Sequence, residues 1–168
     1  MWSRIRTGFE RLLEIVVTLN TLALVVVVVL GVVYRKAGHS LSWYDEIAEI
    51  LLAWLTYYGA ALAAYKRAHI GFSGIVEATP PRWRLPIVLA GEIAVIGFFV
   101  LLAWMGFVVL EVLVGDTLVS LPEIEVTYTQ SVIPIGAILF IIAQLLSMPE
   151  VLAEARSTTP KHTVPVEP

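Results

Sequence analysis

The sequence predicts an all-α integral membrane fold with four transmembrane helices and both N- and C-termini in the cytoplasm. Three observations carry that expectation. Over 168 residues the mean hydropathy is +0.85, with 58% hydrophobic and 15% charged residues, which leaves too little polar surface to coat a soluble domain. The apolar residues gather in runs long enough to cross about 30 Å of hydrocarbon at 1.5 Å per helical residue. Basic residues collect in alternate connections, nine on one side of the membrane against two on the other.

The expected transmembrane domain covers residues 1–150, with helices at about 12–33, 46–65, 86–114 and 131–148. The first run is centred on Leu24-Val25-Val26-Val27-Val28-Val29-Leu30. It follows Arg4, Arg6 and Arg11, as a signal peptide would. It is longer than a signal core, and Tyr34-Arg35-Lys36 stands where a small-residue cleavage site would be, so it reads as a retained helix.

The second helix has signals at both ends. Ser42-Trp43-Tyr44-Asp45 resembles an N-cap followed by an acidic residue. Asp45, Glu46 and Glu49 crowd the first turn as helix-capping carboxylates, within reach of Arg35 or Lys36; a sodium-site role for them is a weaker reading. Lys66 and Arg67 follow the last turn, where cations suit the helix dipole.

The third run is too long for a perpendicular crossing and must tilt or protrude. Its carboxylates Glu92 and Glu111 lie about 28 Å apart at helical rise, near opposite interfaces. The fourth opens with Pro134, tolerated in a first turn because its missing N–H is not needed there. Residues 151–168 read as a polar, disordered cytoplasmic tail.

Orientation follows from charge. The N-terminus, the connection holding Lys66, Arg67, Arg82 and Arg84, and the tail with Arg156 and Lys161 are the basic side, hence cytoplasmic. The connection with Asp116, Glu123 and Glu125 has no basic residue and faces out. Trp43, Tyr44, Trp83 and Tyr128 fall near the interfaces as an aromatic belt. Between His69 and Glu77 the sequence suits either a short amphipathic helix along the cytoplasmic interface or a plain loop.

Small residues at Ala53, Gly59, Ala60, Ala61, Ala63 and Ala64, and at Gly91, Ala94, Gly97, Ala103 and Gly106, favour close helix packing. Trp54, Tyr57, Tyr58, Ala61 and Tyr65 share one face of the second helix. That face serves internal packing, docking of another membrane protein, or both. Glu14, Glu92 and Glu111 read as interfacial anchors, with an ion or proton site as the alternative. His39, His69 and His162 are too scattered to hold a haem between helices, and no cysteine is present. Nucleotide-binding and nucleophile motifs are missing, as is any basic stretch suited to nucleic acid, so no catalytic, substrate or metal residue is expected.

Four stretches resemble the small integral membrane (Q) subunit of tripartite ATP-independent periplasmic (TRAP) transporters. They are Ser40-Leu41-Ser42-Trp43-Tyr44-Asp45-Glu46, with its Trp-x-x-Glu; Trp54-Leu55-Thr56-Tyr57-Tyr58-Gly59-Ala60-Ala61; Lys66-Arg67-Ala68-His69-Ile70; and Tyr128 with Ile133-Pro134-Ile135-Gly136. Glu123-Ile124-Glu125 departs from the resemblance, since more apolar residues are usual there. The resemblance implies a bacterial inner membrane protein that partners a large transport subunit and a periplasmic solute-binding protein. It implies no cofactor in this chain, with sodium expected in the large subunit, and a scaffold role in uptake of an organic acid. Trp43, Glu46, Trp54, Tyr58, Gly59, Ala60, His69, Pro134 and Gly136 are then the residues expected to pack or contact the partner. The rival expectation is an autonomous, proton-coupled small transporter working as a homodimer, with Glu14 or another membrane carboxylate as its proton group.

Overall fold

A computed structural model describes residues 2–66 and 79–156 of the chain. Among these, four helices are long and apolar enough to cross a membrane. In chain order the elements are α1 (Trp2–Lys36), α2 (Tyr44–Tyr65), α3 (Pro81–Val112), the short α4 (Val126–Gln130) and α5 (Val132–Arg156). The segment 69–77, read above as either an interfacial helix or a plain loop, lies outside the described residues, as do His69, His162 and residues 157–168.

The helices run past the apolar stretches that announce them. α1 begins at Trp2, ten residues before Leu12. A helix does not stop where hydrocarbon stops, because its backbone bonds are internal and persist into the interface. α3 begins at Pro81, not Pro86. Pro81 occupies an early position, where a fixed φ helps and an N–H is not required, and Pro86 lies inside the helix. α5 continues through Pro149 to Arg156, so the first residues assigned to the tail are helical.

The expected N-cap of α2 is not made. Trp43 occupies that position with helical φ and ψ, and no side chain caps the turn. Asp45 instead lies 3.9 Å from Arg35, in a long, exposed ion pair. α1 ends in a turn through Gly38, whose φ of +84° is open to glycine.

In space the spanning helices form a row, α1–α2–α5–α3, with neighbours packed along their length. α2 and α5 are the inner members, and α5 is the more buried: 39% of its most apolar stretch is buried, against 11% for α1 and α2 and 6% for α3. Each join in the row contains a glycine at a point of close approach, which lets membrane helices gain contact where no hydrophobic drive exists. Gly31 of α1 lies under the Tyr44 ring of α2. Gly136 of α5 lies under Tyr57 of α2, and Gly106 of α3 lies against Pro134 of α5.

The common core is small. Leu13, Ala61, Ala64, Phe140 and Ala143 form it, with Phe9, Tyr65 and Phe99 packed around. The rings of Phe99 and Phe140 stack with centroids 3.6 Å apart, joining α3 to α5. Outside this core the exposed faces of the outermost helices are largely apolar, with Leu19, Val26 and Val33 on α1 and Ile93, Phe98 and Trp104 on α3 all exposed. Water would not support such faces, whereas lipid chains or a membrane partner would.

Candidate functional site

Several polar groups within the spanning helices are engaged inside the chain. Asn20, buried on α1, donates from Nδ2 to the Leu51 carbonyl of α2 at 2.9 Å. Thr21 and Thr56 hydroxyls donate to carbonyls one turn back. Gln144 of α5 donates from Nε2 to Glu92 of α3 at 2.5 Å. Such pairing removes the cost of leaving polar atoms unpartnered in hydrocarbon. Glu92 is therefore tied to a neighbouring helix, a partner the sequence did not reveal. Glu111 is exposed near the end of α3.

The end of the row that holds the N-terminus of α1 carries an ionic belt. Lys66, just past α2, pairs with Glu14 and lies 3.6 Å from Glu10, both on α1 and four residues apart. The bond to Glu14 raises the Lys66 ammonium above the usual lysine range. Arg6 pairs with Glu150 of α5 at 2.5 Å, and the Tyr65 hydroxyl donates to the Arg6 carbonyl. Three helices are thus cross-linked at one level. Glu14, the candidate proton group, is a partner in this belt.

At the opposite end, Glu46 does not cap α2. Its carboxylate accepts from the backbone N–H of Val119 at 3.0 Å and of Ser120 at 2.9 Å, and from the Ser120 hydroxyl. Two turns further along α2, Trp54 donates from Nε1 to the Thr129 carbonyl at 2.8 Å and meets Tyr58 edge-on. α2 therefore holds the connection 113–131 at two points. Neither Ser120 nor Thr129 carries a local sequence signal for this, because the partners lie more than 70 residues apart.

The remaining candidates divide clearly. Pro134 is buried against Gly106, Gly136 against Tyr57, and Ala60 packs beside the core, so these three serve internal packing. Trp43 is partly buried before α2, and Glu49 is exposed in its second turn. At Gly59 a Cβ would meet nothing within 4 Å. That glycine does not serve packing within the chain. Among the described residues no group of three or more His, Asp or Glu is arranged to hold a metal ion.

Residues 24–154, from within α1 almost to the end of α5, match the family model described as tripartite ATP-independent periplasmic transporters, DctQ component. The chain belongs to the DctQ family. It is accordingly a small permease subunit of a TRAP transporter and a multi-pass membrane protein, in a family of transport components rather than enzymes. No curated protein matches it. The DctQ match spans α2, both of its ties to the connection 113–131 and all three glycine joins.

Proposed function

We propose that this DctQ chain is a fixed, non-transporting scaffold for the large subunit of a sodium-coupled importer of an organic acid. The supporting observation is how its membrane-level polar groups are used. Asn20, Gln144, Glu92 and Glu14 are bound within the chain, while the outermost helices α1 and α3 expose largely apolar side chains. A solute or ion site needs polar groups aimed at the cargo, and a scaffold needs breadth and firm anchoring in the bilayer. The ionic belt and the pinned connection anchor the two ends. In this reading the termini and the belt lie on the cytoplasmic side of a bacterial inner membrane, and Val119 faces the periplasm. Sodium and solute are held by the large subunit, and the solute-binding protein delivers the acid.

The test is uptake by proteoliposomes containing the large subunit and the binding protein, with and without this chain. Uptake requires the chain, while the chain alone binds no labelled solute. Specific solute binding by the isolated chain would overturn the reading. The autonomous proton transporter is less well supported, since Glu14 pairs with Lys66. Proton-driven uptake by this chain alone, abolished by Glu14→Gln, would restore it.

A further inference from the structure

We propose that residues 113–125 form a preorganised docking loop for the solute-binding protein, with Glu46 as its positioning residue and Val119 as its apolar contact. This rests on the reading above.

An exposed valine is ordinary on a protein surface, and Val114 in the same loop is exposed too, at 72%. What is not ordinary is the way Val119 is held. Val119 is 93% exposed, the most exposed of the large hydrophobic residues among those described, while its neighbour Leu118 is 6% exposed. The backbone between them and Ser120 is fixed by Glu46, reaching from α2 with three accepted hydrogen bonds. The two arms of the loop are tied to each other. Leu118 donates to Ile124 and Val126 donates to Asp116, both at 2.9 Å, and Thr117 bridges to Glu125. Thr127 bonds Leu113 across the base.

A loop ordered in advance has already met the entropy cost that docking would otherwise impose. An apolar tip on a fixed backbone has the form of a small anchor residue. Around it Asp116, Glu123 and Glu125 are exposed, and the loop contains no Lys or Arg. The chemistry that would recognise it is a shallow apolar hollow with a basic rim, and the rim would steer approach at low salt. Lipid is a poorer occupant, because three exposed carboxylates would be drawn toward the bilayer with the valine.

The chain has no cysteine, so a nitroxide on Val119→Cys reports this site alone within it. The experiment uses the reconstituted complex with a cysteine-free large subunit and purified binding protein. The nitroxide is accessible to a water-soluble relaxant at first, and is immobilised when binding protein is added. Val119→Ser raises the half-saturating concentration of binding protein about fivefold with maximal uptake unchanged. Glu46→Gln combined with Ser120→Ala does the same, and speeds hydrogen exchange at the amides of Val119 and Ser120. A nitroxide that senses only lipid-soluble relaxant overturns the inference. So does one unmoved by saturating binding protein while binding-protein-dependent uptake proceeds. Uptake by the unsubstituted complex that ignores the binding protein instead overturns the functional reading, and this inference with it.

Discussion

Tyr57 of α2 occupies the space that a side chain at Gly136 of α5 would need. A Cβ added at position 136 would lie 2.7 Å from the Tyr57 Cβ and 3.0 Å from its Cδ1. The nearest atom is fixed to the α2 backbone, so rotating the ring cannot relieve the overlap. Gly136→Ala therefore forces α2 and α5 apart. Overpacking of this kind costs about 1–3 kcal/mol, against a gain of about 1 kcal/mol in helix propensity. The expected outcome is a lower thermal midpoint in detergent. An unchanged or higher midpoint would show that the join can relax.

Gly59 is the contrasting case, one helix face away. Nothing lies within 4 Å of a Cβ there, so Gly59→Ala leaves the isolated chain as stable as before, or more stable by up to about 1 kcal/mol. If the open glycine seats a helix of the large subunit, the same substitution reduces recovery of that subunit in a tagged pull-down from solubilised membranes. Equal recovery with the substituted and unsubstituted chains would place the contact elsewhere.

The contrast also marks what the sequence could convey. Four apolar runs announce four crossings because burial in lipid demands length and little else. The spatial order α1–α2–α5–α3 was not legible, since helices apolar on every side carry no stripe that points to a neighbour. Local rules also misplaced Glu46. Its position in the first turn of α2 predicts a cap, yet the loop at Val119 and Ser120 offers it three donors. Ser42 is the N-cap that the sequence predicts for α2, but Trp43 takes that position and no side chain caps the turn. Pairings such as Gln144 with Glu92 depend on which helices meet, and no local pattern encodes that.

The ionic belt predicts a salt-dependent effect. Lys66 bonds Glu14 and lies near Glu10, and all three side chains are partly exposed, so screening reaches them. Lys66→Gln lowers the thermal midpoint at low ionic strength, and the difference from the unsubstituted chain shrinks as salt rises. The pH sign follows from the raised Lys66 ammonium. A group whose folded-state pKa is raised contributes fully below its unfolded value and loses that contribution as pH rises through the folded one. Going upward from neutral pH, the lysine contribution to the belt thus holds until the solution is strongly alkaline. Titrating the midpoint upward from neutrality checks this, and a loss beginning near neutral pH would contradict it.

Trp54 separates a hydrogen bond from a ring contact. Its indole N–H donates to Thr129 at 2.8 Å, close to the break between α4 and α5, where terminal helical carbonyls lose intrahelical partners. The ring also meets Tyr58 edge-on, with centroids 6.1 Å apart. Trp54→Phe keeps an aromatic ring but has no N–H to give. It costs about 1 kcal/mol, and the loosened α4–α5 break exchanges its amide hydrogens faster. Trp54→Leu loses the aromatic edge as well, for a further 0.5–1.5 kcal/mol or about that. Hydrogen exchange resolved by residue distinguishes the two losses: both variants should speed exchange around Thr129 to a similar degree, and only the leucine variant should loosen the α2 turn at Tyr58. If the phenylalanine variant left the α4–α5 break fully protected, the indole bond would not be what holds the connection to α2, and Glu46 would be its sole tie.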